Sequence, residues 1–423
     1  MLETPTPAGA KLQMVMLFLY MVINFADKLV LQIAAVPIMT ELHLSPEQYG
    51  AVGTAFFLCL TFAGLIVGFL ANRFPTTIMI LVMALVWAMV QFPMLGTVSF
   101  FTIVVCRMAL GLGEGGAAWV ATHAIYKWYP DHKRAMPTAW LSQGSAVGVI
   151  IAAPALTWIV VHISWHAAFG TMGAIGLLWS LAWYFIGREG PLADPVAAVN
   201  VAERVPYGKL LLCRTFIGCT LALFGAYWTL SLALTWFVPF MVKGLGFSQT
   251  VGGNLSILPW AVGALTVITG GFLSTALVAR GVPTKRARAM LGTLPLAVGG
   301  LFMLALPWSG SGWSEVVLLM IGTGLTGPIY VVCAPMLSEF VPDAQRAGVI
   351  ATMGSLYVFA GVIAPSVMGY LVQHGATMLD GYNRGFQFAG LLQLVLGLLA
   401  MWLMAPAFDR ARVLRLRGAV AAE

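Results

Sequence analysis

The chain has 423 residues, of which 60% are hydrophobic and only 9% charged, and its formal net charge is +7. A water-soluble domain carries about 25% charged residues, so a soluble globular fold is excluded. The positive charge is spread along the chain and not gathered on one soluble surface, which speaks against a nucleic-acid partner.

The bilayer is the solvent that fits this composition, and a helix needs roughly 20 apolar residues to cross it. Met1 to Ala10 is short and polar. Lys11 precedes an apolar run over 12–37, longer than the core of a signal peptide, which reads as a retained first helix. Further runs lie at 47–71, 76–97, 99–128, 135–160 and 165–187. A more polar stretch, Arg188 to Arg214, reads as a linker. Six more runs follow at 216–242, 250–279, 288–307, 314–340, 347–372 and 385–405. The glycines and proline from Gly144 to Pro154 are ordinary in a membrane helix.

The expected architecture is an all-α membrane protein of twelve transmembrane helices. It divides into a six-helix bundle over 1–187, a cytoplasmic linker over 188–214, a second bundle over 215–406 and a basic cytoplasmic tail over 407–423. Charge placement supports the count. With both termini inside, eighteen of the 22 Lys and Arg fall in inner segments, and two, Lys243 and Arg384, fall outside. The remaining two, Lys28 and Arg107, lie within helices. The tail, Arg410 to Arg417, reads equally as a topology anchor or as a holder of anionic lipid headgroups.

The halves repeat. Gly68-Phe69-Leu70 ends the second helix and Gly271-Phe272-Leu273 the eighth. Pro130-Asp131 with Arg134-Ala135 precedes the fifth helix, and Pro342-Asp343 with Arg346-Ala347 the eleventh. Two pseudo-symmetric halves of this kind describe the major facilitator architecture, whose sites lie near the midplane. The five cysteines, Cys59, Cys106, Cys213, Cys219 and Cys333, fall in or beside apolar runs and read as small buried hydrophobes. No metal-ligand spacing, nucleophile–base pair or nucleotide motif is visible, so neither an enzyme nor a cofactor is expected.

Four ionisable residues fall deep in helices: Asp27, Lys28, Arg107 and Glu114. Each costs at least a few kcal/mol there if unpaired. Asp27 and Arg107 lie at matching depths, which favours a pair. Arg107 and Glu114 are two turns apart on one helix face. Glu114 is flanked by Gly111, Gly113, Gly115 and Gly116, and a carboxylate in so close-packed a place has the property that proton coupling needs. A structural reading stands beside this one, in which buried ion pairs fix the register of the first and fourth helices. Yet Lys28 finds only Glu114 as a further acid, and a cation with one distant acid is a seat for an anion.

The same residues carry a family resemblance covering nearly the whole chain. Asn24-Phe25-Ala26-Asp27-Lys28 resembles the first-helix N-Y-x-D-R pattern of the anion:cation symporter family of the major facilitator superfamily. Arg107 to Gly115, with Trp128-Tyr129-Pro130 and Arg134-Ala135, resembles its fourth-helix R-x-x-x-G-x-x-E and the following W-F-P and R-A. Leu234-Thr235-Trp236-Phe237-Val238-Pro239, with Gly246-Phe247-Ser248, is similar to its seventh-helix T-W-x-P and G-F-S. The resemblance implies alternating access driven by a proton or sodium gradient. It assigns proton coupling to Asp27 and Glu114, the substrate carboxylate to Lys28, and to Arg107 the place of the arginine that partners the first-helix acid. Two departures stand out. Lys28 replaces an arginine and so lacks a planar fork. In the loop signature between the second and third helices, Asn72 stands where an acid is usual.

Other candidates for the substrate cavity are Asn24, Tyr227, Trp228, Asn254, Tyr330, Ser355 and Tyr357, polar-tipped or polar side chains within helices. Packing explains any single one of them equally well. Trp119 points away from Glu114, and His123 reads as loop-facing. The expected activity is import of a small organic anion, a sugar acid or aromatic acid, with protons. The expected setting is a monomer in the lipid of the cytoplasmic (inner) membrane. The alternative is a proton-independent exchanger or exporter of amphipathic compounds.

Overall fold

The computed structural model describes residues 7–70, 73–130, 133–192, 205–310 and 312–420. Asn72, the middle of the expected linker (193–204) and the end of the tail lie outside the described residues.

Among the described residues, twelve helices are long and apolar enough to cross a membrane, so the chain is a multi-pass membrane protein. They are α1 (Ala10–Glu41), α2 (Pro46–Val67), α3 (Thr76–Leu95), α4 (Phe100–Tyr126), α5 (Met136–His162) and α6 (Trp165–Ile186). The second set is α7 (Arg214–Ala233), α8 (Gln249–Ala279), α9 (Lys285–Leu304), α10 (Trp313–Ser338), α11 (Gly348–Gln373) and α12 (Met378–Leu403). A further helix, α13 (Pro406–Val420), follows. Side-chain caps start several of them. Ser99 and Thr102 form a reciprocal capping box at α4, and Ser164 accepts from the Ala167 N–H at α6. All five cysteines are free.

Three boundaries depart from the apolar runs for physical reasons. α12 begins at Met378 and not near 385, because Arg384 pairs with Asp380 one turn back at 3.0 Å, so its polar first turn is still helix. The seventh run extends to 242, but α7 stops at Ala233 and a turn occupies 234–236. There the Tyr49 hydroxyl donates to the Thr235 carbonyl at 2.9 Å, and the Trp236 Nε1–H donates to the Pro365 carbonyl at 3.0 Å. These tertiary bonds replace the helical ladder. α4 is broken just after Glu114, into Phe100–Glu114 and Ala117–Tyr126. Gly116 has φ +88° at the break, a left-handed conformation that glycine adopts without penalty.

The chain forms two compact units. The first holds Met1–Pro195, Leu234–Ile257 and Pro365–Gln373; the second holds Val196–Ala233, Leu258–Ala364 and His374–Glu423. The first unit is cored by aromatics. The Tyr20 ring lies 4.6 Å from Trp87 and 5.1 Å from Trp179, and Trp179 stacks on Trp183 at 5.2 Å. The second is cored by Phe216, Leu223, Leu296, Ile329, Met336 and Phe340.

One strap ties the start of α3 into the first unit. Glu189, just past α6, accepts from the N–H of Thr76 (3.3 Å) and of Thr77 (3.2 Å) and from both threonine hydroxyls, and it pairs with Lys127 at 2.5 Å. Pro75 at the N-cap gives no side-chain cap, so Glu189 supplies it from 112 residues away. Partial burial works to raise the Glu189 carboxyl, and Lys127, the Thr77 N–H and the Thr76 hydroxyl outweigh it, holding it at about 2. A carboxyl held below its ordinary value stabilises the fold above that ordinary value, and the contribution fades as pH falls toward about 2. We therefore expect Glu189→Gln to cost about 1 kcal/mol near neutral pH, the size of a cap plus a partly exposed pair. The difference in melting temperature between the two proteins shrinks as the medium is acidified. A difference that stays constant with pH would contradict this account.

Candidate functional site

The four deep ionisable residues gather in the first unit. Asp27 and Lys28 sit on α1, and Arg107 and Glu114 on the first piece of α4. Asp27, Arg107 and Glu114 are buried, and Lys28 is partly open. Lys28 Nζ lies 2.7 Å from Glu114 Oε2. The lysine also donates to Asn24 Oδ1, one turn back on α1, and stands 4.7 Å over the Phe25 ring. Glu114 is the last residue of its helical piece, where the carbonyl ends of the helix disfavour a second negative charge. Lys28 answers that charge from α1.

Asp27 behaves differently from expectation. Its Oδ1 accepts from Gln91 Nε2 near the end of α3. Asp27 and Arg107 form no ion pair among the described residues. The Gln91 amide takes the place of the guanidinium, which stands instead 5.4 Å over the Phe169 ring of α6. Arg107 Nη2 is buried without a hydrogen-bond partner among the described residues. A narrow cleft opens onto both cations. It is lined by Lys28, Leu31, Gly53, Phe56, Phe57, Arg107, Leu234 and Thr235. The arrangement offers two positive groups at an apolar-walled opening, with an acid behind one of them.

The remaining candidates are scattered. Asn254 is in the first unit but exposed and outside the lining of the cleft. In the second unit, Tyr227, Tyr330 and Tyr357 form a cluster, with Tyr357 5.4 Å from Tyr227 and 6.4 Å from Tyr330. The Tyr330 hydroxyl is buried and has no partner among the described residues. Trp228 is not part of this cluster, because it packs on Phe224 and Phe388. The Ser355 hydroxyl donates to the Ala351 carbonyl of its own helix. Trp119 is exposed.

Sequence reasoning missed Gln91, Phe56 and Phe57. For Gln91 a signal existed, since it is the only amide in the apolar run over 76–97. The phenylalanines are indistinguishable in sequence from packing residues.

Comparison with known proteins identifies the family. The model of the Major Facilitator Superfamily matches residues 16–330. A hexuronate transporter of Bacillus subtilis (strain 168) is 26% identical over 408 residues, covering 93% of this chain and 94% of that protein. A D-galactonate transporter of Escherichia coli O6:H1 is 24% identical over 391 residues, covering 86% and 89%. Among solved structures, a bacterial homolog of the human lysosomal transporter Spinster has the same fold, with a TM-score of 0.78 at 19% identity over 96% of this chain and 99% of that one. The D-xylose-proton symporter follows with a TM-score of 0.74 at 17% identity, over 92% and 96%. With twelve spans, a family model covering most of the chain and full-length relatives that are transporters and not enzymes, the chain belongs to the major facilitator superfamily.

Proposed function

We propose that this transporter imports a small organic carboxylate, of the sugar-acid class, together with protons by alternating access. The observation that carries the reading is the pair of cations on one cleft, Lys28 held by an acid and Arg107 with a buried donor unpartnered among the described residues. The hexuronate and galactonate transporters among its relatives support the substrate class.

Glu114 and a substrate carboxylate compete for Lys28. A proton arriving on Glu114 removes the charge that holds the lysine and releases it to an anion in the cleft. Arg107 then supplies the planar, two-pronged contact that a lysine lacks. Phe56 and Phe57 form the apolar wall against the rest of the substrate. Asp27, held by Gln91, is the second carboxylate able to exchange a proton. The four charges sum to zero, so one anion with one proton moves no net charge, and a second proton makes transport electrogenic. The working form is a monomer in the cytoplasmic membrane with both termini inside, and the halves 1–187 and 215–406, joined by the linker 188–214, are the moving bodies.

The test is uptake of labelled hexuronate and galactonate into proteoliposomes under an imposed inward proton gradient. Accumulation above equilibrium that collapses with a protonophore is expected. Uptake indifferent to the gradient, with brisk counterflow against unlabelled substrate, would instead identify a proton-independent exchanger.

A further inference from the structure

We propose that α13, with the Arg214–Trp402–Phe408 stack beside it, is a binding surface for anionic phospholipid headgroups. α13 carries one acid, Asp409, and the structure turns it inward. Asp409 is fully buried and accepts from the backbone N–H groups of Thr215 (2.7 Å) and Arg214 (3.3 Å), capping the start of α7. Val413, one turn on, is buried beside it. The outward face is left with Arg410, Arg412 and Arg415 and no carboxylate.

Those arginines are interleaved with exposed apolar groups. Phe408 is 56% and Leu414 54% exposed, and Trp402 at the end of α12 is 64% exposed. The Arg214 guanidinium lies 5.0 Å from the Trp402 ring and 5.9 Å from the Phe408 ring, a cation seated over two exposed aromatics. A helix bathed only in water gains nothing by presenting Phe408 and Leu414. An acidic protein or a nucleic acid would use the charge and leave the aromatics uncovered. A charged leaflet uses both, taking the rings into its interfacial layer and the arginines against its phosphates. α13 begins three residues after α12 ends, which is where a chain leaving the bilayer meets headgroups.

The experiment titrates the full-length protein in neutral detergent with phosphatidylglycerol, phosphatidylcholine or inorganic phosphate and follows its melting temperature. Phosphatidylglycerol raises the melting temperature, salt weakens the effect, and phosphatidylcholine and phosphate leave it unchanged. At about fivefold in affinity per arginine, R410Q/R412Q/R415Q requires roughly a hundred times more phosphatidylglycerol for the same rise, and R214Q about five times more. The charge-keeping R410K/R412K/R415K titrates like the original protein. An equal response to phosphatidylcholine or to phosphate, or a glutamine triple that titrates normally, overturns the proposal. If the glutamine triple fails to fold, the lysine triple decides, since loss of the response there overturns it as well.

Discussion

Lys28→Ala lowers the stability of the purified protein by roughly 3–5 kcal/mol, the cost of stranding a buried charge, and ends uptake. The reason is the asymmetry of the pair. The Glu114 side chain is fully buried and Lys28 is its ion-pair partner at 2.7 Å, whereas Lys28 keeps 11% of its side chain accessible and a bond to Asn24. Removing the lysine therefore leaves a carboxylate with no solvent and no cation in contact, and only the more distant Arg107 to offset its charge. Removing the acid leaves a lysine that retains an amide and the Phe25 ring. Glu114→Gln accordingly costs less than Lys28→Ala, and the double variant Lys28→Ala/Glu114→Gln recovers most of the stability lost in the single one. On the proposed function uptake does not recover with it, because the cation assigned there to the substrate is still missing. Melting curves and uptake measured on the three variants separate the two roles. A double variant as unstable as Lys28→Ala would mean that the loss comes from packing around the lysine stem. A double variant that transports would remove Lys28 from the substrate path.

The twelve spans are legible in the sequence because a run of about twenty apolar residues matches the thickness of a bilayer and suits few soluble settings. The gathering of Asp27, Lys28, Arg107 and Glu114 is legible too, since buried charges on helices must find one another. What escapes is every choice made by uncharged groups. Gln91 displaces Arg107 from Asp27, and an amide carries no signal that names a partner 64 residues away. The end of α7 escapes for a related reason. Leu234 and Trp236 are as apolar as the helix before them, and only the bonds from Tyr49 and Trp236 reveal the turn. The strap at Glu189 sits in a stretch read from sequence as the start of a linker, although an acid facing a proline-capped helix start is a cue of its own. In the tail, Asp409 alone among arginines marks the face that packs inward.

The second large effect is expected at Gly111, where α4 presses on α2. A Cβ built there falls 3.0 Å from the backbone nitrogen of Leu60 and 3.1 Å from the Cys59 Cβ, and the Phe56 carbonyl oxygen stands closer still. Two of these three atoms are backbone, so no side chain can swing aside, and one of the helices has to move. Gly111→Ala then costs about 1–3 kcal/mol, as overpacking does, and Gly111→Val costs more. The functional loss exceeds what stability alone predicts, because Arg107 and Glu114 ride on the same rigid piece, four residues before and three after. Displacing that piece draws Glu114 off Lys28 and moves Arg107 relative to Phe56 and Phe57. Gly64, on the facing helix, is the control: its nearest neighbour for an added Cβ is the Gly116 nitrogen at 3.9 Å, an ordinary contact. Gly64→Ala should melt within about 0.5 kcal/mol of the original protein and transport normally. If Gly111→Val kept full uptake at a temperature where it stays folded, the position of the fourth-helix charges would not be what the site depends on.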